Sequence, residues 1–150
     1  MRSPSYTIRI IMPCGGVTAD VDVSSKSILD TATCLDFANF IVYRVFNNGL
    51  VPSTCVVETS SAVTFVDLDM NPTASVAGAR NLALDEIASQ IESSVADNDS
   101  VVFLDSGDLL LPDLIRSLPM CSSDIDMFVG GTVVSSGAAK YKRANAPLFL

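Results

Sequence analysis

The sequence predicts an α/β fold, a three-layer sandwich with a mostly parallel sheet, and three observations carry that expectation. Short runs rich in β-branched and aromatic residues alternate with stretches of helical periodicity along the 150 residues, the pattern of strand–crossover–strand units. One run, Ser100 to Leu104, is continuously apolar, as strands covered on both faces are. The apolar runs also give way to Gly, Asn, Asp or Pro, which places a set of loops at the carboxyl ends of the strands. A length of 150 residues fits one domain over residues 1–150.

The elements follow in order. Residues 6–12 read as a strand that runs into the loop Pro13-Cys14-Gly15-Gly16. Residues 21–35 are a helix candidate, with Ile28, Leu29 and Ala32 at helical spacing. Residues 40–46 form a second strand closed by Asn47-Asn48-Gly49, a turn signal. Residues 50–61 read either as loop or as loop with a short strand at 55–58. Residues 62–66 are a third strand, after which Asn71-Pro72 breaks the chain. Thr73 or Ser75 can cap a helix over residues 76–95, where Leu84, Ile87, Ala88, Ile91 and Val95 recur every three or four positions. Residues 100–104 are the buried strand, 112–118 a short helix and 127–134 a further strand with Gly130-Gly131 inside it.

Composition removes several function classes. Seventeen acidic residues oppose nine basic ones, net −8, so no basic surface for nucleic acid is expected. Lys140, Lys142 and Arg143 read as a solvated turn. Histidine is absent, which excludes hydrolases built on an imidazole base. Cys14, Cys34, Cys55 and Cys121 form no C-x-x-C pair, so they read as small buried core residues and not as zinc ligands. No apolar run is long enough to cross a membrane, and a cytoplasmic chain is expected.

Asp105-Ser106-Gly107-Asp108 is the sharpest local feature. Two carboxylates at the end of an apolar strand can hold a divalent cation that bridges phosphate oxygens. The same four residues can equally form a surface turn in which the side chains cap backbone amides.

Ala79-Arg80-Asn81-Leu82-Ala83-Leu84, then a helix, then Val101 to Asp113 (VVFLDSGDLLLPD) resembles the family-two glycosyltransferases of the GT-A fold. That family reads A-R-N-x-G-L, a helix, and a strand ending F-L-D-x-D-D with a proline beyond it. Ile10 to Pro13 resembles its first strand, and Val45-Phe46-Asn47-Asn48-Gly49 its V-D-D-G strand end. Asp124 to Gly131 resembles the strand after the metal motif. The likeness runs from Tyr6 to Thr132 and is most specific between Ser75 and Asp113.

The resemblance implies a nucleoside-diphosphate sugar as ligand, a divalent metal (Mn²⁺ or Mg²⁺) as cofactor, and transfer of the sugar to an acceptor with inversion. Pro13 and Cys14 would line the nucleotide pocket, Asn47 would contact the base and Arg80 the base and phosphates. Asp105 would lie near ribose and metal, with Asp108 as the second ligand. Gly107 stands where the family has its second metal aspartate, and no counterpart of the catalytic base follows Thr132. The acceptor-binding part would then be short or missing, and a half-domain of that kind could pair with its own copy or with a partner chain. Two other readings stand beside this one. A non-catalytic GT-A-like interaction domain would explain Gly107. Alternatively, Val63 to Asp69 resembles the strand-end D-x-D of haloacid-dehalogenase-type phosphatases, with Asp67 as nucleophile and Asp69 as general acid.

Overall fold

The structure is a computed structural model and describes residues 6–46, 60–70, 75–91, 99–117, 133–136 and 140–143. These group into two compact units, Met1–Pro112 and Asp113–Leu150. The first is an α/β domain whose strands are β1 (Tyr6–Cys14), β2 (Ala38–Phe46), β3 (Val63–Asp69) and β4 (Asp99–Phe103). Helix α1 (Thr18–Cys34) links β1 to β2, and α2 (Val76–Ile91) lies between β3 and β4. All pairings are parallel and the strand order is β3-β2-β1-β4. The chain thus builds outward from β1 through β2 to β3, then crosses back over the sheet to lay β4 on the other side of β1.

Side chains alternate across this sheet as period two requires. Ile11, Tyr43 and Val45 face α2 and bury against Ala79, Ala83 and Ile87. Ile8, Ile10, Met12, Phe40 and Val42 point the opposite way and are also fully buried or nearly so. The covering element on that side is α1, which packs on β2 and β3 through Val21, Ile28 and Leu29.

The face of α2 differs from the one its periodicity predicts. Ala79, Ala83 and Ile87 are buried, whereas Leu84 is 38% exposed and Ala88 is open to solvent. Two alanines at a spacing of four bring the helix backbone close to the sheet, and that close approach rotates Leu84 outward. The Tyr43 hydroxyl fixes the helix further along by donating to Gln90 Oε1 at 2.8 Å.

Strand lengths also exceed expectation at the carboxyl ends. β1 continues through Pro13 and Cys14 because Pro13 loses no ladder bond there. The Ile11 carbonyl accepts from Leu104 N on the β4 side at 3.0 Å, so Pro13, two residues on, turns its missing N–H to the same side, where β4 has already ended. β3 likewise runs through Asp67 and Asp69, because Asp67 is paired with Arg44 of β2 and Asp69 is exposed on an edge strand.

β4 departs from the expectation of a strand covered on both faces. It pairs with β1 alone among the described residues, and Val101 and Phe103 are 43% and 52% exposed. Its apolar run is that of an edge strand with one face uncovered. Expected residues 55–58, 92–95 and 127–132 lie outside the described residues.

In the second unit, α3 (Pro112–Ser117) buries Ile115. β5 (Val133–Ser136) and β6 (Lys140–Arg143) pair antiparallel, so the basic stretch is the second strand of a hairpin and not a turn. No helix among the described residues is long and apolar enough to cross a membrane.

Candidate functional site

β1 and β4 lie side by side although β2 and β3 come between them in the chain, so the strand order reverses at this point. In open α/β sheets ligands bind outside the carboxyl ends of the strands at such a point. The segments flanking it are Pro13 to the first turn of α1, and Leu104 to Leu111. Asp105 follows β4 after Leu104. Arg80, in the second turn of α2, reaches across the strand end and donates from Nη2 to Asp105 Oδ1 at 2.9 Å. Its guanidinium lies over the Phe103 ring at 5.4 Å, so an exposed aromatic and a carboxylate together hold the cation in place. The pair is 38% and 58% exposed, hence solvent-screened and reachable by a ligand. Arg80 Nε is buried without a partner among the described residues.

The loop after Asp105 turns back at once. Asp108 N donates to Asp105 O at 3.0 Å, and Gly107 takes φ +96°, a conformation that L side chains rarely adopt. Gly107 therefore stands at this position for backbone reasons. A Cβ there would lie 3.5 Å from Asp20 Cγ, so α1 contributes its own carboxylate beside the turn.

That loop is fastened to α1 by side chains that sequence reasoning passed over. Ser24 Oγ donates to Asp108 O at 2.6 Å and accepts from Gly107 N at 2.9 Å. Ser27 Oγ accepts from Leu110 N at 3.0 Å, and Thr31 Oγ1 donates to Leu110 O at 3.1 Å. The available signal was a polar stripe at Asp20, Ser24, Ser27 and Thr31 interleaved with Val21, Ile28 and Leu29. Below the stripe, α1 and residues 109–112 enclose an open groove of about 400 Å³ bordered by Val23, Leu109 and Leu111. Neither Arg80 nor Asp105 lines it.

Of the residues singled out from sequence, Arg80 and Asp105 are in contact, and Asp108 shares their loop with its side chain exposed. Pro13 and Cys14 end β1 and are buried. Asn47 lies outside the described residues. Cys14 fits the expected core thiol, whereas Cys34 is exposed; Cys55 and Cys121 lie outside the described residues. Among the described residues no three carboxylate or cysteine side chains come together as a metal cluster. A cation at this rim would therefore take Asp105 and Asp108 from the protein and its other oxygens from ligand and water, a set that suits Mg²⁺ or Mn²⁺.

A second charged pair was also missed. Arg44 is fully buried on the α1 side of β2, and Asp67 stands opposite it on β3. Nε and Nη2 donate to Asp67 Oδ1 and Oδ2 at 2.7 and 2.8 Å. Both oxygens of the carboxylate proposed as a phosphatase nucleophile are thus engaged.

Comparison with known proteins gives no match to any family model, curated protein or solved structure.

Proposed function

We propose that the rim around Arg80 and Asp105 binds a nucleoside-diphosphate sugar and that the chain is a glycosyltransferase-like domain of GT-A type. The observation that supports this reading best is the 2.9 Å Arg80–Asp105 pair placed where the strand order reverses. The sequence likeness assigns these two residues to one nucleotide site although they stand 25 positions apart. Arg80 supplies the cationic contact for phosphate or base.

Local charge argues for a metal. Asp20, Asp105 and Asp108 outnumber Arg80 three to one at this rim, so a diphosphate arriving alone meets net repulsion. A divalent cation held by Asp105 and Asp108 reverses that balance and, when bound, stabilises the diphosphate as leaving group. In the active form of the reading, the sugar passes to an acceptor with inversion.

The test is calorimetric titration of the full chain with UDP- and GDP-sugars, with and without Mn²⁺. Binding that requires Mn²⁺ and is lost in Asp105→Ala supports the reading. No heat with any member of the panel overturns it and leaves a non-catalytic interaction domain. Metal-dependent binding without sugar turnover would mark the domain as a nucleotide-sugar binder only.

A further inference from the structure

We propose that Ser24, Ser27 and Thr31 are positioning residues that hold the Asp105–Asp108 rim in its binding geometry and thereby set its affinity for the nucleotide sugar. The affinity half of this proposal rests on the function proposed above. The holding half rests on hydrogen bonds alone.

Surface loops ordinarily present their backbone groups to water. Here the three hydroxyls take the N–H of Gly107, the C=O of Asp108, and both the N–H and C=O of Leu110. Ser24 and Thr31 are 0% and 1% exposed, so the Thr31–Leu110 bond is buried and the other three are partly buried. Positions 24, 27 and 31 fall on one helix face, and the loop runs along that face for one residue after another. Serine and threonine are poor interior helix residues because their hydroxyls compete for backbone groups. On α1 the Ser24 and Thr31 hydroxyls donate outward, onto the loop of a different element, while Ser27 Oγ donates to Ser24 O of its own helix at 2.7 Å and accepts from Leu110 N.

The consequence is mechanical. α1 starts where β1 ends, and the loop starts where β4 ends, so the clamp joins the two strand ends that flank the reversal of strand order. Gly107 N also donates to Asp20 O at 3.2 Å, which adds a backbone contact at the same point. A rim fixed before the ligand arrives pays little ordering entropy on binding. Asp105 is two residues from the first clamped amide, so loosening the clamp lets its carboxylate swing with Arg80 away from the strand ends.

The experiment uses the full chain with Ser24→Ala and Thr31→Val, the second keeping side-chain volume. Amide hydrogen exchange is followed at Gly107 and Leu110, with Ile11 and Val42 as reporters of the sheet. UDP-glucose and GDP-mannose are titrated in the presence of Mn²⁺. The expected result is exchange about five- to tenfold faster at Gly107 in Ser24→Ala, which removes an acceptor of that amide, and faster at Leu110 in Thr31→Val, which frees the carbonyl of the same residue, with the sheet reporters unchanged. The Kd should rise by about the same factor, and Thr31→Ser should restore both. Unchanged exchange at the two loop amides overturns the proposal. Faster exchange with an unaltered Kd overturns it too, since the hydroxyls would then be structural only. If the wild-type chain binds neither nucleotide sugar, the reading of its function falls, and the exchange arm alone decides whether the clamp holds the loop. Should Ser24→Ala unfold the chain, Thr31→Val carries the comparison at Leu110.

Discussion

Arg44 holds both oxygens of Asp67 across the β2–β3 pairing, with Nε at 2.7 Å and Nη2 at 2.8 Å, and its guanidinium lies over Phe65 at 4.7 Å and Phe46 at 5.5 Å. The arginine is fully buried while the Asp67 side chain is 27% exposed, so the carboxylate is the only counter-charge among the described residues. Removing one partner of such a pair leaves an uncompensated charge, whereas removing both can be neutral. Asp67→Ala is expected to destabilise by about 3 kcal/mol, and Arg44→Met with Asp67→Leu to recover most of that. Urea unfolding of the single and double variants decides it. A double variant no more stable than Asp67→Ala would show that the pair holds the strands by more than charge.

The Arg80–Asp105 pair should behave in the opposite way. Both side chains are well exposed, and exposed ion pairs contribute at most about 1 kcal/mol. Asp105→Ala should therefore leave thermal stability almost unchanged while abolishing metal-dependent nucleotide binding. A large fall in melting temperature, or unchanged affinity, would remove this pair from the site.

Gly107→Ala isolates backbone conformation from packing. A Cβ has room, since its nearest neighbour is Asp20 Cγ at 3.5 Å, but φ +96° disfavours any L side chain. The expected loss is about 1–3 kcal/mol. Adding Asp20→Ala should not relieve it, and urea unfolding of the double variant checks this. Recovery in that background would mean that contact with Asp20, and not φ, sets the cost.

Tight packing of α2 on the sheet predicts that Ala83→Leu is harmful even though it adds apolar surface. Ala83 is fully buried beside Ile11 and Tyr43, and overpacking of that kind costs about 1–3 kcal/mol. Ala88→Leu, on the exposed side of the same helix, should change stability by less than about 0.5 kcal/mol. Thermal melting of the two variants gives the comparison.

Much of the fold could be read from the chain because parallel strands and their crossovers leave strong periodic signals. β1, α1, β2, β3, α2, β4 and α3 all occur within a few residues of their expected places. The failures share a physical origin in tertiary contacts that no local pattern contains. Leu84 counted toward the buried face because it is apolar, but two alanines won the close approach. Ser100 to Leu104 suggested a strand covered on both faces because nothing in four successive apolar residues distinguishes a buried face from an open one. Arg44 and Asp67 were each unremarkable alone, and only the β2–β3 register makes them a pair. At the site, a motif assigned Arg80 and Asp105 to one nucleotide site without foretelling their ion pair, whereas the Ser24, Ser27 and Thr31 contacts required knowing that the loop returns along α1.

Pro13 has an effect beyond the strand it ends. With no N–H to offer on the side where β4 stops, it denies any lengthened neighbour a place to zip onward along β1. Any extension of the β1–β4 ladder beyond Leu104 thus forms with one hydrogen bond fewer, a consequence of a single ring that no change in the loop can repair.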